Sequence, residues 1–383
     1  MVQITIIGWY GTETIGDRAI LSGIISLISE AYQDVCVGLG SLYPVVSEHT
    51  LIDDADFLNR CTQYRNGKMK LELFYSGNAK ELRTAISKSD LLLVGGGPLM
   101  DIMQMHMLDY ALSYAKRKNI KTAICGCGWG PLKSPEFISV ASDIIVKSDI
   151  VLLRDPLSVE MCKKMVGKEK KIEALVDPSF FALQFFMNER KKVDRESSSL
   201  ISINYREIIS DIQGTYSSTL EKDLIVLTQK IAENFKNNMV LLVPMHTFAI
   251  GGDDRILLNR IAGKVKMDNV LVQNVPLSLE DTMDKYFSSS FCIGMRYHAV
   301  LFQTVLNGCN FILDYTDENN GKTIGLLRQL NAEKFYTHKY VSLRKKETID
   351  FDIRAELHRF FIDEHFINTM RSKYISYFSN LYK

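Results

Sequence analysis

The chain has 383 residues, more than one hydrophobic core usually serves, so length alone predicts two domains. Hydrophobic residues make up 46% and charged residues 24%, which is ordinary for a globular protein. A formal net charge of +1 excludes a global field that would draw in nucleic acid or an anionic membrane, so an anionic substrate must be held by a few local cations.

Gln3–Ile7 is a short apolar run that passes at once into a Gly-rich loop, with no basic region ahead of it as a secretory signal requires. No stretch reaches the roughly 18 apolar residues of a membrane span. The run Phe137–Leu153 is broken by Asp143, Lys147 and Asp149. The seven cysteines sit mostly in strand-like surroundings such as Ile124-Cys125-Gly126-Cys127 and read as buried, reduced thiols. Cys125 and Cys127 lack a second pair or a nearby histidine, so no zinc site is expected. Together these features predict a cytoplasmic protein without a transmembrane segment, at most peripheral to the inner face of the membrane.

One pattern recurs along the chain: a short β-branched run, a Gly-rich or polar loop, then a helix-period segment. The first series of runs is Gln3–Ile7, Val35–Gly38, Leu91–Val94, Lys121–Ile124 and Ile150–Leu153. Continuous apolar strands alternating with helices indicate a parallel sheet covered on both faces. The polar stretch Asn188–Ser199 reads as a linker. The alternation then restarts with Leu200–Asn204, Met239–Val243, Val270–Val272, Ser290–Ile293 and Asn310–Leu313. The expected fold is α/β, with two Rossmann-like domains over 1–187 and 200–345. A helical tail over 346–383 carries Phe351, Phe360, Phe361, Phe366, Tyr374, Tyr377 and Phe378 as a packing stripe.

In open parallel sheets ligands bind beyond the carboxyl ends of the strands, which directs attention to the loops there. After the first strand comes Gly8-Trp9-Tyr10-Gly11-Thr12-Glu13-Thr14-Ile15-Gly16-Asp17. Gly11 and Gly16 let the backbone approach a ligand, and a helix beginning near Asp17 offers amides to an anion. Asp17 reads either as a functional carboxylate or as an N-cap. Gly95-Gly96-Gly97-Pro98-Leu99 permits close backbone approach at Gly96 and Gly97, or is a plain tight turn. Gly126-Cys127-Gly128-Trp129-Gly130-Pro131 is not a dinucleotide fingerprint. Its Trp129 is either a stacking platform for a sugar or a core residue. Arg154-Asp155 at the end of another strand reads as a structural ion pair.

In the second half, Gly294-Met295-Arg296-Tyr297-His298 places a guanidinium and an imidazole where a helix begins. Such a pair holds phosphate or carboxylate and supplies a proton. Arg206, in Asn204-Tyr205-Arg206, and His246, in Pro244-Met245-His246, add the same chemistry at two further strand ends. Gly321-Lys322-Thr323 lacks the first glycine of a phosphate-binding loop, since Thr316 stands in its place. No GxSxG elbow supports nucleophilic acyl chemistry.

Taken in order, these segments resemble the polysaccharide pyruvyl transferase family. Its opening Asn-x-Gly-Asp-x-Ala-Ile-Leu is similar to Thr14–Leu21, with Thr14 in place of Asn and Glu13 an added carboxylate. Its Gly-Gly-Gly-x-Leu resembles Gly95–Leu99, and its Gly-x-Gly-x-Gly-Pro resembles Gly126–Pro131. Arg-Asp-x-x-Ser is similar to Arg154–Ser158, Asp-Pro-x-Phe to Asp177–Phe180, and Gly-x-Arg-x-His-Ala to Gly294–Ala299. The resemblance runs from about residue 3 to 330, leaving the tail and Asp56–Gly77 unmatched.

The resemblance implies parallel sheets facing across a cleft, as in B-type glycosyltransferases, and an enzyme that moves the enolpyruvyl group of phosphoenolpyruvate onto sugar hydroxyls. Phosphoenolpyruvate would be a co-substrate, with no further cofactor, and the partner a sugar or lipid-linked glycan; no metal constellation is evident in the sequence. A homo-oligomer is compatible with it. Arg296 and Arg206 would hold the donor anion, His298 would be general acid or anion contact, and Asp17 or His246 would be base. Gly294 would bring the backbone close to the donor. The competing readings are a nucleotide-sugar glycosyltransferase, with Glu280 as its ribose carboxylate, and an inactive glycan-binding scaffold.

Overall fold

The computed structural model describes residues 1–12, 14–62, 69–167, 169–190, 198–208, 220–345 and 349–381. It divides into two compact units, Met1–Phe185 with Asp363–Lys383, and Phe186–Ile362.

The first unit begins with strand β1 (Val2–Ile7) and helix α1 (Ile15–Ala31), followed by β2 (Val35–Ser41), α2 (Pro44–Asp53), α3 (Ala55–Cys61) and β3 (Met69–Tyr75). Next come α4 (Ala79–Ser87), β4 (Leu91–Gly95), β5 (Pro98–Leu99), α5 (Met105–Arg117), β6 (Lys121–Trp129) and α6 (Pro135–Lys147). The series ends with β7 (Ile150–Leu153), α7 (Pro156–Val166), β8 (Glu173–Ala174) and α8 (Ser179–Glu189). All strands pair in parallel in the order β3-β2-β1-β4-β6-β7-β8, with β5 paired to β6. Every residue of β4 is buried, as a central strand covered on both faces must be. β3 instead alternates half-buried and exposed positions, which explains why no apolar run announces it: it is the edge strand.

The second unit contains β9 (Leu200–Ile203), α9 (Leu220–Asn234), β10 (Met239–Leu242), α10 (Asp254–Val265), β11 (Val270–Val272) and α11 (Leu279–Ser288). It continues with β12 (Phe291–Gly294), α12 (Tyr297–Leu306), β13 (Asn310–Asp314), α13 (Lys322–Gln329) and β14 (Tyr340–Ser342). The order is β11-β10-β9-β12-β13-β14, again wholly parallel. This is the doubly wound arrangement, with strand order reversing between β9 and β12. Ile201, Ile203, Val240, Leu242, Phe291, Ile293, Phe311 and Leu313 form its core with the helices.

The expected linker falls largely on 191–197, outside the described residues. The segment expected as one helical tail divides. Phe351 and Ile353 are buried in the second unit's core between exposed neighbours, a period-two pattern that suits extended chain. Among the described residues of this segment only α14 (Glu364–Ser379) is helical, and it returns to the first unit. There Tyr374 meets Phe181 edge-on at 5.6 Å, Arg371 pairs with Glu30, and Tyr32 Oη donates to the Phe378 carbonyl at 2.6 Å.

α1 lies so close to the loop before α8 that a Cβ on Gly23 would stand 1.9 Å from the Pro178 carbonyl oxygen. Gly23→Ala should therefore lower unfolding free energy by about 1–3 kcal/mol, as overpacked sites do. Urea titration of the variant measures this, and an unchanged midpoint would show that the helix does not seat there.

Candidate active site

Four strand ends of the second unit deliver polar groups to its switch point. Beyond β9, Asn204 is buried and acts as a brace: its Nδ2 donates to the Val243 carbonyl at 2.9 Å and its Oδ1 accepts from Arg296 N at 3.1 Å. One bond fixes the loop after β10, the other the loop after β12. Two residues on, half-buried Arg206 points Nη1 at Tyr315 Oη, 2.9 Å away, beyond the end of β13. Its Nε reaches only the Glu207 carbonyl, at 3.3 Å. Among the described residues no carboxylate pairs with Arg206.

Arg296 is the N-cap residue of α12. Its guanidinium forks onto Asp254, with Nε at 2.8 Å from Oδ2 and Nη2 at 2.6 Å from Oδ1. Asp254 is 1% exposed and also accepts from the amides of Met245 and His246, at 3.0 and 3.2 Å. Asp254 thus takes one of the two arginines as its partner and fills its remaining acceptor sites with backbone amides. Arg296 Nη1 takes no part in these bonds.

His298 is the second residue of α12, half-buried, its ring set edge-on to Tyr297 with centroids 5.0 Å apart. Gly294 ends β12 where a Cβ would lie 2.5 Å from Gln303 Oε1, so its glycine lets α12 pack on the sheet. His246 is buried, its Nε2 has no hydrogen-bond partner, and Gly251 lies against the ring at a φ of +92°. Burial lowers its pKa to about 4, the Arg296 and Arg206 cations assisting and Asp254 opposing. The imidazole is thus a neutral base at physiological pH.

Two groups at this switch point were not legible beforehand. Tyr315 follows β13, and Lys322, dismissed with the broken phosphate-loop motif, opens α13 with Nζ 5.5 Å from the Tyr315 ring and 5.9 Å from the Tyr297 ring. The signal that could have found Tyr315 is its place just past a strand's carboxyl end. Asp254 was announced only by the Gly-Gly-Asp-Asp turn before a helix.

In the first unit the corresponding point lies between β1 and β4. Gly11 has φ +92°, and a Cβ there would strike Ser41 Oγ at 2.4 Å. Gly16 is buried in the first turn of α1. Thr14, not Asp17, is the N-cap residue, and its hydroxyl bonds the Asp17 carboxylate. Asp17 is half-buried beside Arg18, which pairs with Asp54 at 2.7 Å through Nε. The space over Gly97 is filled by Trp9, 2.0 Å from a hypothetical Cβ, and that over Gly96 by the Tyr10 hydroxyl at 3.2 Å. Those two glycines, expected against a substrate, admit the protein's own rings instead. Trp129 is likewise a core residue, 7% exposed with its amide donating to Ser158 Oγ at 3.1 Å, and offers no stacking platform. Arg154 is buried against Gly128 with Asp155 at 3.6 Å and Asp177 at 3.8 Å, the ion pair expected of it.

Residues 15–317 match the sequence profile of the family described as polysaccharide pyruvyl transferase. The chain belongs to this family. No curated protein sequence matches this polysaccharide pyruvyl transferase family member. Solved structures resemble it in fold. The UDP-GlcNAc 2-epimerase of Neisseria meningitidis bound to UDP-GlcNAc superposes with TM-score 0.57 at 12% identity, over 98% of this chain and 99% of that one. The MnaA protein of S. aureus with UDP gives 0.56 at 13%, over 100% and 98%. A putative UDP-N-acetylglucosamine 2-epimerase from Listeria monocytogenes gives 0.54 at 11%, over 87% and 89%. At such identities the likeness establishes two Rossmann-like domains and nothing about ligands. Among the described residues of this transferase-family chain, no helix is long and apolar enough to cross a membrane.

The depressed His246 pKa has a consequence for stability. Between about pH 6.5 and 4 the unfolded chain binds a proton on this imidazole that the folded chain does not, so stability falls as pH falls through that window. The slope is up to about 1.4 kcal/mol per pH unit for one group. His246→Asn should flatten it in urea titrations across the window; an unchanged slope would refute the assignment.

Proposed function

We propose that this chain transfers the enolpyruvyl group of phosphoenolpyruvate to sugar hydroxyls of a polysaccharide or its precursor, forming a pyruvate ketal. What supports the donor assignment is the cation at Arg206, held by a phenol and a backbone carbonyl with no carboxylate to neutralise it among the described residues. A half-buried guanidinium that pairs with no carboxylate among the described residues, close to the amino end of α12, suits an anion. Arg206 and the Nη1 side of Arg296 hold the phosphate and carboxylate of the donor.

His298 protonates the methylene carbon, so that C2 becomes electrophilic. A sugar hydroxyl adds to C2 as a base removes its proton, phosphate departs with its bonding electron pair, and a second hydroxyl closes the ketal. His246, neutral and with Nε2 unoccupied, suits the base. The glycosyltransferase reading loses ground, because the carboxylate it needs, Glu280, is engaged by Arg190 at 2.9 Å.

Arg206→Ala and His298→Ala should each slow phosphate release from phosphoenolpyruvate, in the presence of lipid-linked or nucleotide-linked sugars, by roughly a hundredfold. Wild-type rates in both variants would discard the assignment. Heat protection by UDP- or GDP-sugars but not by phosphoenolpyruvate would favour the glycosyltransferase instead.

A further inference from the structure

Tyr315 has no part in the transfer chemistry just described, yet more positive charge converges on it than on any carboxylate nearby. It is 1% exposed. Arg206 donates to its oxygen at 2.9 Å while its guanidinium carbon lies 5.0 Å from the ring centroid, and Lys322 Nζ lies 5.5 Å from the same ring. Arg344 Nε donates to the Tyr315 carbonyl at 3.3 Å. The nearby carboxylates are committed elsewhere: Asp254 to Arg296, Asp314 to Thr316 and Tyr340, and Asp317 to Arg344 at 3.8 Å. Asp253 pairs with Arg255 and Glu207 with Arg260, and His246, His298 and Tyr297 also stand at this switch point.

Other buried phenols show what such convergence changes. Tyr205 shares its hydrogen bond with Thr228 and Tyr336 donates to Asn310, both neutral partners, and burial pushes both hydroxyls up. For Tyr315 burial acts in the same direction, but Arg206, Lys322 and Arg296 outweigh it and bring the hydroxyl down to about 7. Near neutral pH the hydroxyl is therefore close to its titration midpoint.

We propose that Tyr315 is a positioning residue of the anion site, its phenol oxygen aligning Arg206 and Lys322 as a stand-in for a ligand oxygen and taking up a solvent proton when an anion binds. This rests on the reading that the site receives phosphoenolpyruvate. A bound phosphate or carboxylate shares the same cations, so the phenolate loses its stabilisation and is protonated; no other bond is made or broken. Linkage then requires that affinity weaken as pH rises through about 7, where the phenolate begins to compete.

The test is calorimetric titration of the full chain with phosphoenolpyruvate between pH 6 and 8.5, in buffers of different ionisation heat, for wild type and Tyr315→Phe. The ultraviolet difference band of tyrosinate is followed in parallel. Wild type should develop a tyrosinate band over this range that phosphoenolpyruvate abolishes, and should take up more protons on binding than the variant. Tyr315→Phe keeps the ring but should bind about tenfold more weakly at pH 6, the scale of one hydrogen bond to a charged group. Equal affinity and equal proton uptake in the two proteins would overturn the role of Tyr315 while leaving the donor assignment intact. Failure of wild type to bind phosphoenolpyruvate, with Arg206→Ala indistinguishable, would overturn the donor assignment and this inference with it. Should the variant not fold, a tyrosinate band in wild type that phosphoenolpyruvate does not touch would decide against the inference.

Discussion

The constraint around which the strand ends of the second unit are arranged is a cation, Arg206, that meets no carboxylate among the described residues. Taking a guanidinium partly out of water is costly unless its donors are satisfied, and proteins usually meet that cost with a carboxylate. Arg206 has a phenol and a backbone carbonyl instead. The loop is held there by the Asn204 brace and by the reversal of strand order between β9 and β12, which parts the neighbouring loops and leaves room beyond the sheet.

The two arginines are consequently unequal. Arg296 is locked to a buried aspartate whose remaining lone pairs accept backbone amides, so its orientation is fixed before any ligand arrives. Removing that aspartate would strand a charge and loosen the loops after β10 and β12 together. Arg206 is aimed instead by a phenol and a backbone carbonyl. In the proposed transfer, these two cations and the neutral His246 would face the two anionic groups of the donor.

In the first unit the glycines do different work from that expected of them. Gly96 and Gly97 accommodate Tyr10 and Trp9, and the Trp9 indole donates to the Pro98 carbonyl at 3.1 Å, tying the loop after β1 to the loop after β4. The shared motif here reflects aromatic packing between two strand ends, which then presents Thr14 and Asp17 at the start of α1. A glycine run in sequence cannot distinguish close approach by a ligand from close approach by a neighbouring ring, because both need only the missing Cβ.

The sequence alone determined the alternation of strands and helices, the two parallel sheets and the strand ends that carry Arg206, His246, Arg296 and His298, because central strands must be apolar along their length and their loops need not be. The edge strand β3 escaped notice since half of it meets water and no periodic apolar run results. Tertiary structure decided what sits against what: that Asp254 claims Arg296, that Trp129 is core, that α14 returns to the first unit while Phe351 stays in the second, and that Tyr315 gathers Arg206 and Lys322. Those outcomes depend on groups far apart in the chain competing for the same space and charge, and local propensity carries no record of that competition.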